Sequence, residues 1–262
     1  PDGYHDLETI FYPLPFRDAL EIVLQKQPAN TQKNIEDDNG CQFFSTGLDI
    51  PGASQNNLCV KAWNLLKKDF PSLPPIDMHL HKAIPIGAGL GGGSSDGAFA
   101  LLLVNRQFNL GLSDEKLADL ALQLGSDCPF FILNKPCLAT GRGEFLTRIS
   151  LDLSGYFVVL VTPGIHISTG WAFSQIHPSA GERSLEEITA LPVEKWKEAL
   201  TNDFEQPIFG IHPQLAAIKK ELYSMGALYA CMSGTGSAIA GIFARRPKKF
   251  PYLLPHHFLI AL

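Results

Sequence analysis

Residues 76–84 read Ile-Asp-Met-His-Leu-His-Lys-Ala-Ile, apolar at every second position until the last few, which is the period of a half-exposed strand. A glycine-rich stretch follows, and behind it Ala98, Leu101, Leu102 and Asn105 recur at helical spacing. Strand, loop and helix are therefore predicted in that order. Upstream, Pro1-Asp2-Gly3 is turn chemistry, Tyr4 to Tyr12 is rich in aromatic and β-branched residues, and Ala19 to Leu24 reads as a second strand. Residues 27–39 are polar and predict a surface loop. Asn56-Asn57-Leu58 caps a helix from Val60 to Phe70, which the prolines between Pro71 and Pro75 terminate. The helix behind the glycine stretch ends near Asn109-Leu110-Gly111, and Ser113-Asp114-Glu115 opens another that Gly125 stops.

Downstream, Phe130 to Leu133 and Pro136 to Thr140 form a hydrophobic segment leading to the turn Gly141-Arg142-Gly143-Glu144. Tyr156 to Thr162 is an apolar strand, ended by Pro163-Gly164, and Thr169 opens a helix. Val193 to Leu200 and His212 to Ser224 read as helices. Residues 227–232, 239–243 and 258–262 read as strands. The break at Asp152-Leu153-Ser154-Gly155 divides the chain into expected domains 1–152 and 153–262, both mixtures of helix and strand.

A chain of 262 residues with 45% hydrophobic content can build one large or two modest cores. The formal net charge of −5 argues against a broad basic surface while leaving room for a local basic pocket for phosphates, so no nucleic-acid partner is expected. Cysteines at 41, 59, 128, 137 and 231 are odd in number and contain no Cys-x-x-Cys pair, which suggests reduced thiols and a cytoplasmic location. No apolar run approaches the roughly 20 residues that span a bilayer, and the first residues are polar rather than signal-like. No membrane partner is expected.

Chemistry concentrates in Ile84-Pro85-Ile86-Gly87-Ala88-Gly89-Leu90-Gly91-Gly92-Gly93-Ser94-Ser95-Asp96. Glycine can take positive φ and bring successive backbone N–H groups against an anion. The helix behind the stretch adds the unpaired N–H groups of its first turn. Ser94 and Ser95 can cap, donate to phosphate oxygens or ligate a metal. A tight glycine turn without a ligand is the plainer alternative. A Walker A loop requires a lysine, and none lies between Gly87 and Asp96. Gly87-Ala88-Gly89-Leu90-Gly91-Gly92 spells the dinucleotide fingerprint, yet residues 109–115 hold a helix stop and a new N-cap where that fold needs a second strand and its acid.

Asp127, in Ser126-Asp127-Cys128-Pro129, has two readings: an N-cap with proline in the first turn, or a carboxylate that takes a proton from a substrate hydroxyl. Arg142 reads equally as a phosphate contact or as part of a surface turn. His79 and His81 share the polar side of their strand, where a solvated face is the simpler reading than a metal pair.

Pro-x-Gly-x-Gly-Leu-Gly followed by Gly-Ser-Ser, together with Pro1-Asp2-Gly3-Tyr4-His5 and Leu124-Gly125-Ser126-Asp127-Cys128-Pro129, resembles the GHMP kinases over nearly the whole chain. The resemblance implies an α+β fold of two domains, the first carrying the ATP loop and the second ferredoxin-like. It implies ATP and Mg²⁺ as cofactors, Pro85 to Ser95 as the nucleotide loop and Asp127 as the catalytic base. The second and third of those stretches are similar to members that phosphorylate the 2-hydroxyl of 4-diphosphocytidyl-2-C-methyl-D-erythritol. Tyr4, His5, Thr169 and Phe173 would then bind that substrate, with Tyr4 and Phe173 on opposite faces of the cytosine ring. By itself, Phe173 is equally an ordinary core residue. Ser233-Gly234-Thr235-Gly236-Ser237 is similar to the family's third motif, which approaches the phosphates, and Asn202-Asp203-Phe204-Glu205 also recurs in the family. The resemblance further implies a strand ahead of Pro1 carrying a catalytic lysine and an asparagine. Lys82, on the strand that feeds the loop, is not expected to replace that lysine. The rival readings are a kinase-like module that binds nucleotide without turnover, and a GHMP kinase for another small alcohol such as homoserine or mevalonate.

Overall fold

The computed structural model describes residues 7–25, 39–176, 183–248 and 256–262. Along the chain these form β1 (Thr9–Phe11), β2 (Ala19–Leu24), β3 (Cys41–Gly47), α1 (Leu58–Asp69), β4 (Ile76–Lys82), α2 (Gly92–Gln107), α3 (Asp114–Leu124), α4 (Cys128–Leu133), β5 (Cys137–Thr140) and β6 (Phe145–Arg148). There follow β7 (Phe157–Val161), α5 (Thr169–Gln175), α6 (Leu185–Thr189), α7 (Trp196–Ala199), α8 (Glu205–Ile211), α9 (Pro213–Ser224), β8 (Tyr229–Met232), β9 (Ile239–Phe243) and β10 (His257–Ala261). Two compact units result: residues 17–86 with 91–135, and residues 1–16 with 87–90 and 136–262.

The first of these units packs α1 to α4 on a sheet of order β2-β4-β3, with β2 antiparallel and β3 parallel to β4. The alternation in β4 turns Ile76, Met78 and Leu80 into a core with Trp63, Leu66, Leu101, Val104 and Leu117, and leaves His79 and His81 outside. His79 stacks on Phe44 at 4.6 Å, and His81 Nδ1 lies 3.0 Å from Thr46 Oγ1. Asn57 accepts a 2.9 Å hydrogen bond from the N–H of Cys59, and Ser113 accepts from that of Lys116, so both sequence-predicted caps form. Gly97 lets α2 approach α1, because a Cβ there would lie 2.8 Å from that of Leu58.

The other unit holds an antiparallel sheet β1-β5-β6 and a second of order β10-β7-β9-β8. Counted one to four along the chain, the latter strands lie in the order 4-1-3-2 with α5 to α9 between the first two, a ferredoxin-like strand order. Val159 and Val161 face Ile208, Leu215, Leu222 and Met232, while Val158 and Leu160 face Trp196, Tyr229 and Ala238. The continuous apolar run of β7 is thus explained by cover on both faces. Three elements were not anticipated. They are β3, whose outward Phe44 breaks the expected alternation, the short β6, and α8, which follows Asn202-Asp203-Phe204 directly.

Candidate active site

The N-terminus of α2 is open by construction. Its N-cap is Gly91, at φ +66°, where a Cβ would lie 2.9 Å from the Phe131 ring. Glycine brings no side chain to cap the helix, so the first-turn N–H groups keep the partial positive charge that an anion seeks. Gly92 is pressed against Ile84 and Lys82, whereas a Cβ on Gly93 would meet nothing within 4 Å. That combination of a fixed loop and an open flank suits a phosphate. Ser94 and Ser95 are half-buried. Ser94 hydrogen-bonds the thiol of Cys128, whose pKa burial raises to about 11.

The Ser94–Cys128 bond and the Gly91–Phe131 contact bring α4 to the N-terminal end of α2, and Asp127 immediately precedes α4. Asp127 stands at the N-cap position with Pro129 in the first turn, yet its side chain makes no capping bond. The cap reading therefore fails on the side chain while the position holds. Asp127 is open to solvent. The protein around it nonetheless desolvates the carboxylate enough to raise its pKa above the ordinary value, opposed by a 3.4 Å bond from Ser126 Oγ.

Beneath the loop lies a charged group that sequence reasoning missed. Lys82 is 2% exposed, and its Nζ lies 2.6 Å from both Asp18 Oδ2 and Asp96 Oδ2. Asp18 Oδ1 in turn accepts from the N–H groups of Ala83 and Ile84 at 2.6 and 2.8 Å. Burial pushes Asp96 up to about 7, against the hydrogen bond and charge of Lys82. Burial also works to raise Asp18, but the N–H of Ile84, the Lys82 ammonium and the N–H of Ala83 outweigh it and hold Asp18 below the ordinary value. A Cβ on Gly92 would sit 3.1 Å from Lys82 Nζ, so the ammonium lies directly behind the first turn of α2. The signal was present in the sequence: Lys82 continues the Ile76, Met78, Leu80 phase of β4, and a lysine on a buried face requires partners.

Gly87–Leu90 belongs to the other unit. Gly89, at φ +74°, is held so closely that a Cβ would lie 2.2 Å from the carbonyl oxygen of Ser233 and 2.8 Å from that of Gly236. Ser233 Oγ donates to the Gly89 carbonyl at 2.7 Å, and the N–H of Ala238 donates to that of Ala88 at 3.0 Å. The two glycine motifs are thus hydrogen-bonded to one another. Gly89→Ala would impose about 1–2 kcal/mol of left-handed backbone strain besides the clash, and is expected to weaken ATP binding about tenfold or more. Titration calorimetry with ATP checks this, and unchanged affinity would contradict it.

In the same unit, Thr169 begins α5 and its Oγ1 lies 3.4 Å from Thr235 Oγ1. Phe173 is half-buried and meets Phe204 edge-on, ring centroids 4.9 Å apart. Pro85 and Ile86 lead into the loop, with Ile86 exposed. Tyr4 and His5 lie outside the described residues. Among the described residues, no group of three or more His, Cys, Asp or Glu is placed to hold a metal ion. Nor is any described helix long and apolar enough to cross a membrane.

A strand feeding a glycine loop, an open helix terminus and a neighbouring carboxylate are features that phosphate handling calls for, and comparison with known proteins gives the class. Residues 57–135 match the model of the GHMP kinases N terminal domain, and residues 184–250 that of the GHMP kinases C terminal domain. A 4-diphosphocytidyl-2-C-methyl-D-erythritol kinase of Bacteroides fragilis is 50% identical over 248 residues, covering 95% of this chain and 87% of the relative. The protein of that name from Parabacteroides distasonis is 47% identical, covering 94% and 85%. A crystal structure of 4-(cytidine 5'-diphospho)-2C-methyl-D-erythritol kinase superposes with a TM-score of 0.76 at 28% identity, covering 92% of this chain and 82% of that one. The chain belongs to the GHMP kinases and, within them, to the family of 4-diphosphocytidyl-2-C-methyl-D-erythritol kinases.

Proposed function

We propose that this protein transfers the γ-phosphate of ATP to the 2-hydroxyl of 4-diphosphocytidyl-2-C-methyl-D-erythritol, giving the 2-phosphate and ADP in non-mevalonate isoprenoid precursor biosynthesis. The observation that carries the reaction class is the open first turn of α2 beside an Asp127 that no capping bond engages. The substrate rests on the identity of up to 50% to relatives named for it.

Phosphoryl transfer asks the protein for positioning, charge compensation and a group to orient the nucleophile. The backbone of Gly87 to Ser95 holds the phosphates of ATP, with Pro85 and Ile86 leading the chain in. Asp127 accepts the proton of the 2-hydroxyl as its oxygen attacks the γ-phosphorus; the bond from that phosphorus to the bridging oxygen breaks and ADP leaves. Tyr4, His5, Thr169 and Phe173 hold the cytidine end and the sugar alcohol. Mg²⁺ bound with the nucleotide would neutralise phosphate charge. Ser94 and Ser95 offer oxygen donors there, and magnesium commonly takes one or two protein oxygens beside the phosphates and water.

The ATP-loop domain runs to residue 152 and the C-terminal domain from 153. The two family matches fall on either side of that boundary, although compactness groups residues 136–152 with the C-terminal half. Free thiols, four of the five buried, suit the cytoplasm. The test is ADP formation by the full-length protein with 4-diphosphocytidyl-2-C-methyl-D-erythritol, homoserine and mevalonate offered separately. Turnover with the cytidyl substrate alone supports the reading; turnover with either other alcohol instead would remove it.

A further inference from the structure

Asn202-Asp203-Phe204-Glu205 has no part in the chemistry above, yet its polar groups are aimed at the backbone of the second glycine motif. Asn202 Nδ2 donates to the carbonyl of Met232 at 2.9 Å and to that of Gly234 at 2.8 Å. Its Oδ1 accepts from the N–H of Phe204 at 2.9 Å, which fixes the amide's orientation and presents both amide protons to the loop. From the first turn of α8, Glu205 Oε1 accepts from the N–H of Met232 at 2.8 Å, and its Oε2 is held by Lys219 Nζ at 2.5 Å. Glu205 and Lys219 are largely buried, with side chains 13% and 23% exposed. Solvent therefore competes weakly for these bonds.

The contacts continue to the first glycine motif. Met232 and Gly234 flank Ser233, whose Oγ donates to the Gly89 carbonyl and whose N–H donates to the carbonyl of Ala238 at 2.8 Å. Ala238 donates in turn to the carbonyl of Ala88. Asn202 and Glu205 thus fix Met232 and Gly234, these fix Ser233, and Ser233 with Ala238 fixes Ala88 and Gly89. Apart from the peptide bonds on either side of Ser233, each link is a hydrogen bond within one compact unit. Backbone N–H groups bind an anion only while their relative directions are kept, and Gly87, Gly89, Gly234 and Gly236 all sit at positive φ. Glycines cannot hold such a conformation through side-chain packing of their own, so the order must be imposed from outside.

From this we infer that Asn202 and Glu205 are positioning residues, a clasp that sets the Gly87–Leu90 segment for nucleotide through the backbone of residues 232–238. The inference rests on the nucleotide-loop reading of the proposed function, but not on the identity of the alcohol.

The test uses direct titration of the full-length protein with MgATP, so it does not depend on turnover. Asn202→Asp keeps the acceptor for Phe204 and removes both amide donations, leaving the local turn in place. It is expected to raise the Kd for ATP about tenfold, as loss of two hydrogen bonds allows. In turnover, the KM for ATP should rise by a similar factor while the KM for the alcohol stays within about twofold, as a loop-specific effect requires. Glu205→Ala, which removes the acceptor for the Met232 N–H, should raise the Kd for ATP as well. A folded Asn202→Asp protein with unchanged ATP affinity overturns the clasp. Should that variant fail to fold, Ser233→Ala decides, since it cuts only the bond to Gly89: weakened ATP binding supports the clasp and unchanged binding overturns it. A parent protein that binds ATP but phosphorylates no offered alcohol defeats the substrate assignment and leaves this comparison intact; one that binds no ATP overturns both.

Discussion

Replacing Asp127 by asparagine is expected to lower kcat by about 10²–10⁴-fold, the range for removal of a general base, with little change in ATP affinity. Asparagine nearly preserves shape and cannot take up the proton. Because the carboxylate makes no capping bond to α4, the loss should fall on turnover and leave the melting temperature within a few degrees. The alternative structural role as a cap predicts the reverse. Asp127→Ser supplies a good capping hydroxyl, and it should restore stability in that case but not activity. The pH dependence adds a signature. A base must be ionised to act, and desolvation raises the pKa of Asp127. The acid limb of kcat/KM should therefore lie above the usual carboxylate range and vanish from the residual rate of the asparagine variant. A wild-type profile flat down to pH 4 would contradict this assignment.

Lys82→Met is expected to be the most destabilising single substitution in the unit that holds α2, by about 3–5 kcal/mol near pH 8, as for a buried ion pair losing one partner. It would strand Asp18 and Asp96, 5% and 8% exposed, side by side without their ammonium. The loss should shrink as pH falls, because protonation relieves unpaired buried carboxylates. In the parent protein the two acids act in opposite directions. Asp96 has its folded pKa raised to about 7, above the unfolded value of about 3.9. The folded state thus holds a proton the unfolded state has released, and the contribution of Asp96 declines as pH rises from about 4 to about 7. Asp18 is held below its ordinary value, so its contribution is present above that value and lost as pH falls through the folded pKa. Urea denaturation of both proteins at pH 5.5 and 8 measures the difference. A loss below about 1 kcal/mol, the scale of an exposed pair, or one that does not vary with pH, would show that the lysine is not balancing buried charge.

The sequence made some of this legible because local chemistry decided it. β2 and β4 follow from alternation, α1 and α3 from Asn57 and Ser113 as caps, and the turn at residue 91 from glycine's access to positive φ. The ferredoxin-like order of β7 to β10 follows from no local pattern. It came to the sequence reading from family resemblance and is fixed in the molecule by antiparallel pairing of β7 with both β9 and β10. Strand β3 escaped notice because its outward residues include Phe44, which packs on His79 instead of facing water alone. The site divides in the same way. Its glycine loop and the stretch around Asp127 are contiguous motifs visible in the sequence, whereas the proposed base role of Asp127 came from family resemblance. The charged group beneath it unites residues 18, 82 and 96, and only the fold brings those together. Asn202 and Glu205 were visible as a motif, but their role depends on backbone groups about 30 residues further along.

The most direct test of the central claim is ³¹P NMR of the full-length protein incubated with Mg²⁺, ATP and 4-diphosphocytidyl-2-C-methyl-D-erythritol. The account predicts loss of the γ-phosphate resonance of ATP together with growth of one new phosphomonoester signal, while the diphosphate of the cytidyl substrate remains intact. Binding of both ligands with no new phosphomonoester would contradict it, and would leave a nucleotide-binding module in place of a kinase.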